Sequence, residues 1–519
     1  MFNFNSWSNW LLPKAELTDT EIQHSINNVV KDGIASQLMG ILTGSVFLVG
    51  LAVYLGASNA TIGLLAAIPP LAQLVQIPAI YLVRKIKNRR LIVVTAACLA
   101  RIPWLILAIC IGLFPGNPWI LGVLWGAILF NSIFGAIAGC SWNSWMRDLI
   151  PEDKLGSTFA RKLRFATALG IIASLTAGGF LDFWKNNLNQ NESQAYGLLF
   201  SLGFVAGIVG IFFISRIEEP AIQLTRDRFL KTLVLPFQDK NFLNLIRFSF
   251  SWNFAVNLAA PFFTVYMLRR LDLDLTWIIL LGICSELMNL FFIRFWGEYA
   301  DKFSNKLVLS ICGPLLIICF FGWTFTTLPE KHILTLPLLV LIHLLTGIST
   351  AGVALGTGNI GLKLAPQNQA TSYLVAHNLC NSVAAGIAPL IGGAFADVFA
   401  KYQVSLTLTA QGTTQRFTLD ALSFEYWDFF FFFAFLLGLY SLHRLTMVEE
   451  EGLWTSKKTV IKQLLLEVRR DISNLSPFPG LRRMVEIPAI SVKKITSQVG
   501  TKVRIRQIKH SKKEDAPTD

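Results

Sequence analysis

The chain has 519 residues, of which 53% are hydrophobic and 15% charged, with a mean hydropathy of +0.53 and a formal net charge of +13. Soluble domains carry about 25% charged residues, so the composition excludes a water-soluble globular protein and leaves a polytopic membrane protein. The excess of Lys and Arg suits anionic lipid headgroups; no recognition motif accompanies it, which argues against nucleic acid.

The first 30 residues lack the apolar core of a cleavable signal peptide. Thr18 and Glu21 have the spacing of a capping box, and Ile22, Ile26 and Val29 follow. That pattern predicts an amphipathic segment lying along the membrane before the first span, within residues 1–33. Crossing about 30 Å of hydrocarbon takes roughly 20 helical residues. Twelve apolar runs meet that length: 34–55, 60–83, 91–113, 118–141, 165–184, 196–215, 246–268, 275–296, 307–327, 334–357, 371–398 and 426–446. The runs are continuous and do not alternate with period two, so they read as α-helices and not as the strands of a closed barrel.

Lys and Arg cluster in the opening segment, in RKIKNRR (84–90), in the link that follows the sixth span and in the tail 447–519, which holds 15 Lys or Arg against nine Asp or Glu. The intervening loops carry few, namely Lys185, Arg269, Arg270, Lys331, Lys401 and Arg416. The positive-inside rule then places both termini in the cytoplasm. The tail is read as soluble and attracted to anionic headgroups, with LLLEVRR (464–470) as one short helix. All seven cysteines fall within predicted spans, without metal-site or disulfide spacing, and read as small apolar fillers.

The chain repeats itself. PEDKLGSTFARKLRFATALGIIASLTAGGFLD aligns without a gap with PQNQATSYLVAHNLCNSVAAGIAPLIGGAFAD, matching Pro151 with Pro366, Ser157 with Ser372, Gly178 with Gly393, Phe180 with Phe395 and Asp182 with Asp397. NRRLIVV (88–94) similarly matches SNKLVLS (304–310). The organisation expected is a first six-helix bundle over 34–215, a linker over 216–245, a second bundle over 246–446, and the tail.

With six plus six topology, a basic central loop and these loop motifs, residues 17–446 resemble the major facilitator superfamily of secondary transporters. Gly297, Asp301 and Lys306 in GEYADKFSNK resemble its G-x-x-x-D-x-x-x-[RK] signature, which implies a cytoplasmic gate after span eight; RKIKNRR lacks the Gly and Asp of that signature. GASNATIGLL (56–65) and the D-L-I-P-x-x-x-x-G pattern from Asp148 to Gly156 resemble bacterial members without an assigned substrate, implying a plasma (bacterial inner) membrane location. The fold class is therefore all-α, with twelve transmembrane helices in two pseudo-symmetric bundles.

Ionisable groups within the bilayer are functional candidates because each costs several kcal/mol. Glu286 lies mid-span in span eight and could carry a proton during a cycle or lock the helix to its neighbours. His343, in span ten, is either a titrating group or a packing hydrogen-bond donor. The resemblance implies that helices one, four, seven and ten line a central cavity, which makes Asn131, Asn253 and Asn257 candidate substrate contacts; polar glue between helices is the alternative. Within these span limits no acidic residue stands at mid-depth in the first half to neutralise Arg101. It either faces the cavity and attracts an anionic substrate, or pairs with Glu286 or backbone carbonyls; third helices usually lie outside the bundle, which favours pairing. Asp148 is expected to form an ionic latch with Arg161 and Arg164, among the arginines of the loop between spans four and five, or those charges simply set topology. His377, Asn378 and Asn381 open span eleven.

No G-x-x-x-x-G-K-[ST] loop, H-E-x-x-H or nucleophile elbow is present. The expected function is a non-enzymatic secondary transporter of a small solute by alternating access, coupled to protons through Glu286, with no cofactor or metal. A transporter-like membrane sensor or assembly factor, favoured by the long tail, is the alternative.

Overall fold

The computed structural model describes residues 13–187, 191–221, 233–327, 331–366, 369–411, 416–425, 427–450 and 466. The capping box forms: the Glu21 amide donates to Thr18 Oγ1 at 3.4 Å and the Thr18 amide donates to Glu21 Oε2 at 2.9 Å. The helix it starts does not lie along the membrane. It runs without interruption from Asp19 to Thr43 and restarts at Ser45–Tyr54, so the boundary expected at 33 falls inside span one. Ile26 and Val29 pack in a buried cluster with Val93, Trp145, Met146, Leu149 and Ile214. Those apolar side chains had protein to cover them, and lipid was not needed.

Among the described residues, eleven helices are long and apolar enough to cross a membrane: Asp19–Tyr54, Asn59–Ile86, Arg89–Leu113, Ile120–Leu149, Asp153–Asn187, Glu192–Ile214, Leu275–Lys302, Asn305–Thr326, Thr335–Leu364, Ala370–Phe399 and Trp427–Thr446. A further helix of 30 residues, Lys240–Arg269, occupies the place of span seven, diluted by Asn253, Asn257, Ser249 and Ser251. Each expected span thus has its helix, and we number them one to twelve. Between spans eleven and twelve the chain forms an antiparallel hairpin, β1 (Gln403–Gln411) and β2 (Arg416–Glu425), that the sequence reading missed. Val404, Leu406 and Leu408 alternate with Ser405, Thr407 and Thr409, the period-two pattern of a strand. The expected tail helix at 464–470 lies, but for one residue, outside the described residues.

Packing repeats with the sequence. Span one packs on five and six, three on four and six, and two on four; in the second half seven packs on eleven and twelve, nine on ten and twelve, and eight on ten. Every pair in the first list recurs six spans later. The halves meet where two packs on eleven and five on eight, a pairing that is also its own image under that shift. Exposed Leu99, Ile102, Ile106 and Ile109 form one stripe on span three, as expected of a face against lipid. The seven cysteines are free thiols.

At the end where span one starts and span twelve finishes, each half is tied by a carboxylate on a helix start. The amides of Arg89 and Arg90, which open span three, donate to Glu219 Oε1 and Oε2 at 2.8 and 2.9 Å. The amides of Asn305 and Lys306, which open span nine, donate to Glu450 Oε1 and Oε2 at 3.2 and 2.6 Å. This is the structural content of the NRRLIVV and SNKLVLS match. A helix N-terminus leaves amides unpaired and carries partial positive charge, so a carboxylate there gains both hydrogen bonds and dipole attraction. In the first half the clasp also buries two cations. Arg89 and Arg90 are wholly buried; Arg89 Nε donates to Glu219 Oε1 at 3.1 Å, and Arg90 pairs with Glu218 at 3.4 Å. Lys14 donates to Glu21 at 2.7 Å, a bond that holds its ammonium above the ordinary range although burial acts the other way.

Asp148 belongs to this clasp. Its carboxylate pairs with Arg89, not with Arg161 or Arg164; Arg161 instead reaches Asn27 at 3.5 Å. The expected latch within the loop after span four is therefore corrected to a fixed tie between spans three and four, because the buried guanidinium needs the carboxylate more than solvated arginines do. Removing Glu219 breaks the buried Arg89 ion pair and strips two helix-start amides of their acceptor, so Glu219→Ala is expected to cost about 3–5 kcal/mol. Thermal unfolding in lipid nanodiscs should show a melting temperature several degrees lower, while Glu298→Ala, which breaks the exposed Arg294–Glu298 pair, should leave it unchanged.

Candidate functional site

A charged cavity lies within the first half. Arg101 stands twelve residues beyond Arg89, about 18 Å along span three, on the face opposite the lipid stripe, and is 7% exposed. Its partner is neither Glu286 nor a backbone carbonyl. Arg101 Nη2 donates to Ser36 Oγ at 3.2 Å, and Ser36 Oγ donates to Asp32 Oδ1 at 2.9 Å. Asp32 is the mid-depth acid that the span limits left out, because span one reaches back to Asp19. Arg101 Nε has no hydrogen-bond partner among the described residues. Glycines on span six make room for the side chain: a Cβ on Gly207 would stand 2.9 Å from Arg101 Cδ, and one on Gly210 would stand 3.3 Å from Nη2.

Lys162, on span five, crosses Gly33, whose Cβ would fall 2.2 Å from Lys162 Cε. Its ammonium lies 4.6 Å from the ring centre of Trp142 on span four, within range of a cation–π contact. Asp32, Ser36, Arg101, Asn131, Trp142 and Lys162 line one cavity of about 370 Å3. Asn131 Oδ1 accepts from Trp104 Nε1 at 3.2 Å, which fixes the amide on the cavity wall.

An amide-lined cavity of about 370 Å3 lies between the halves, walled by Gln73, Gln76, Asn253, Asn378, Asn381 and Ser382. Pro69 and Pro70 shape it. Without amide hydrogens they interrupt the ladder of span two, which tightens into a 3-10 turn at Gln73–Val75 and restarts at Gln76. Asn253 donates to the Ser249 carbonyl at 2.8 Å while lining the cavity; Asn257 donates to the Asn253 carbonyl at 2.8 Å and is not part of that wall. The buried His377 shares a hydrogen bond of 2.8 Å with Ser249 Oγ, which joins spans eleven and seven.

A seal joins the halves at the end opposite the start of span one. The carboxylate of Asp182, at the end of span five, accepts from the amides of Leu275 and Thr276 at 3.2 and 2.9 Å, the start of span eight. Asp397, at the end of span eleven, accepts from the amides of Asn59 and Ala60 at 3.1 and 2.9 Å, the start of span two. Arg269 donates to the Ala57 carbonyl and to Asn59 Oδ1, the latter at 3.3 Å. Glycine lets the backbones close: a Cβ on Gly63 would lie 2.2 Å from the Pro389 carbonyl oxygen, and one on Gly393 would lie 2.4 Å from that of Asn59. Asp182 and Asp397 are a matched pair of the repeat.

The other predicted residues stand apart. Glu286 is exposed on span eight and has no hydrogen bond or ion pair among the described residues; one turn on, Asn289 donates to Thr350 Oγ1 at 3.2 Å. His343 Nδ1 bonds the Leu339 carbonyl at 2.8 Å and its ring packs edge-on to Trp323, a packing arrangement. Gly297 makes only an ordinary contact with Leu355, Asp301 is exposed, and Lys306 donates to the carbonyls of Thr446 and Val448 at 3.0 and 2.6 Å within its own half. Arg164 is exposed. Asp32, Gln73 and Gln76 were not singled out from the sequence, Lys162 was read only as a topology-setting charge, and Asp182 and Asp397 were noted only as repeats.

This geometry defines a polytopic helical membrane protein of two matching halves, joined tightly at one end. The sequence profile described as Major Facilitator Superfamily matches residues 33–389. The chain belongs to that family and is a membrane transporter. Solved structures share the fold at low identity. A variant of the nucleoside transporter NupG superposes with a TM-score of 0.62 at 12% identity, over 83% of this chain and 100% of the other. A POT family transporter in complex with 5-aminolevulinic acid gives 0.58 at 13%, over 85% and 99%. A bacterial homologue of the human lysosomal transporter Spinster gives 0.52 at 16%, over 74% and 84%. No curated protein sequence matches the chain.

Exchanging both seal carboxylates for amides (Asp182→Asn with Asp397→Asn) removes about 1 kcal/mol each of charge–dipole stabilisation, roughly a 30-fold change in the balance between sealed and parted ends. Electron–electron resonance distances between spin labels at Asn117 and Lys401 should lengthen and broaden in the double variant.

Proposed function

We propose that the protein is a secondary active transporter, which moves a small solute by alternating access of two bundles, 19–214 and 240–446, about the linker 215–239. The observation that supports this reading most is the contrast between the ends. The halves are latched at one end through Asp182 and Asp397, while the cavities lie nearer the other. With both termini cytoplasmic, as the distribution of Lys and Arg favours, the molecule is open inward. The latches suit a reversible closure, since each consists of a few hydrogen bonds at part-exposed helix starts.

The reading is tested by solute flux into liposomes that contain only this protein. Time-dependent uptake of at least one small solute, absent from empty liposomes, is expected; no flux across a broad panel would sink the reading and leave the membrane sensor or assembly factor. Coupling to protons through Glu286 is part of the proposal, because it sets a carboxyl group within a span. Glu286→Gln should abolish uphill accumulation driven by a pH gradient and spare counterflow. Unchanged accumulation would remove Glu286 from the mechanism.

A further inference from the structure

We infer that the cavity of the first half is the binding site for the negatively charged group of the transported solute, a carboxylate or a phosphate monoester, held between Arg101 and Lys162. The inference rests on the transporter reading and deepens it by naming the substrate class.

The charge balance is the first argument. Among the residues that line this cavity only Asp32, Arg101 and Lys162 carry charge. Two cations stand against one carboxylate, so the site is net positive with Asp32 ionised and more so with Asp32 protonated. Neither cation forms a direct ion pair with Asp32 among the described residues: Arg101 reaches it only through Ser36, and Lys162 is held over Trp142. Uncompensated positive charge at this depth costs several kcal/mol, and an anion between the two cations relieves it. A planar guanidinium and an ammonium are the groups that proteins use to hold carboxylate and phosphate oxygens.

The repeat supplies an independent argument. If Arg101 and Lys162 were needed to build a six-helix half, the second half would have to replace them with groups doing the same work. In the alignment at 215 residues, Lys162 corresponds to His377, which is buried in a hydrogen bond to Ser249. Carried along span three, the match of NRRLIVV with SNKLVLS sets Arg101 against Ile317. Ile317 is 1% exposed and packs on Gly438 of span twelve, just as Arg101 packs on Gly207 of span six. An apolar side chain therefore fills this place where only packing is asked for. The guanidinium is a costly departure from a scaffold that works without it, and a solute-binding role accounts for it. The cavity of about 370 Å3 is near the lower end of small-molecule pockets, so the solute is compact.

The test uses the full chain in lipid nanodiscs and reads thermal unfolding with two anions, lactate and glycerol 3-phosphate, against their neutral counterparts, lactamide and glycerol. At a concentration about tenfold above its Kd, at least one anion should raise the melting temperature by about 2 °C, and its neutral counterpart should not. Which anion does so separates carboxylate from phosphate. The rise should vanish in Lys162→Gln and in Arg101→Gln, and persist in Lys401→Gln at the far end. Lys162 is only partly buried, so its variant keeps the test open if Arg101→Gln does not fold. The inference is overturned if neither anion stabilises the protein, if a neutral counterpart does so equally, or if the rise survives in Lys162→Gln. Stabilisation by an anion without flux would defeat the transport reading alone; flux of glycerol or lactamide unaffected by Lys162→Gln would defeat the anion site alone.

Discussion

A carboxylate from one element set on the first amides of another's helix holds this molecule together, and among the described residues it does so four times. Glu219 sits on span three, Glu450 on span nine, Asp182 on span eight and Asp397 on span two. In a bilayer the amides of a helix start have few other partners, so where such a start meets another element its bonding largely decides whether the two stay together. The four contacts differ in kind. Glu219 and Glu450 act within a half and are fully buried; Asp182 and Asp397 act between halves and are part-exposed. One device thus yields two strengths. The bonds of Glu219 and Glu450 are sealed from water, while water can compete for those of Asp182 and Asp397.

That distinction accounts for the form of the internal repeat. A rigid half needs its own clasp, so each half carries one. A closure between halves is made of the end of one half's fifth helix and the start of the other's second, and duplication of a single half supplies both. Asp182 and Asp397 need no partner sequence beyond a helix start, which offers its amides whatever its side chains. Gly178 and Gly393 follow the same logic: each lies four residues before its aspartate and lets the partner helix approach, against Ile279 in one case and Asn59 in the other.

The sequence carries the membrane class and the helices plainly, because apolar runs of the right length have few alternatives in a bilayer. It carries less of what those helices do at their ends. Asp32 went unread because hydropathy stops at polar residues, whereas the helix from Asp19 continues through them inside protein. The hairpin after span eleven went unread because period two was sought only in the spans. Asp148 was assigned to nearby arginines, yet Arg89, 59 positions away in the chain, is the one buried and in need of charge. Glu219 and Glu450 end the similar stretches SRIEE and TMVEE, but only contact shows that each clasps a helix start. Asn131 was legible as a cavity residue and Arg101 as an anomaly, but their meeting with Lys162 depends on how spans three, four and five pack.

Symmetry and chemistry are then divided between different residues. The features that recur after 215 or 216 positions, namely the seal carboxylates, the close-packing glycines and the starts of spans three and nine, all belong to the frame. The features that do not recur are polar and face space: Arg101 where Ile317 stands, Lys162 where His377 stands, and the Pro69–Pro70 break that brings Gln73 and Gln76 to a cavity. Folding two equal halves constrains the first set, because a loss on one side leaves a helix end or a backbone contact unmet. It leaves the second set free to differ, since the opposite half is complete without those groups. Charge that a duplicated scaffold retains in one copy only, at the depth where charge costs most, is therefore better explained by a solute than by the fold.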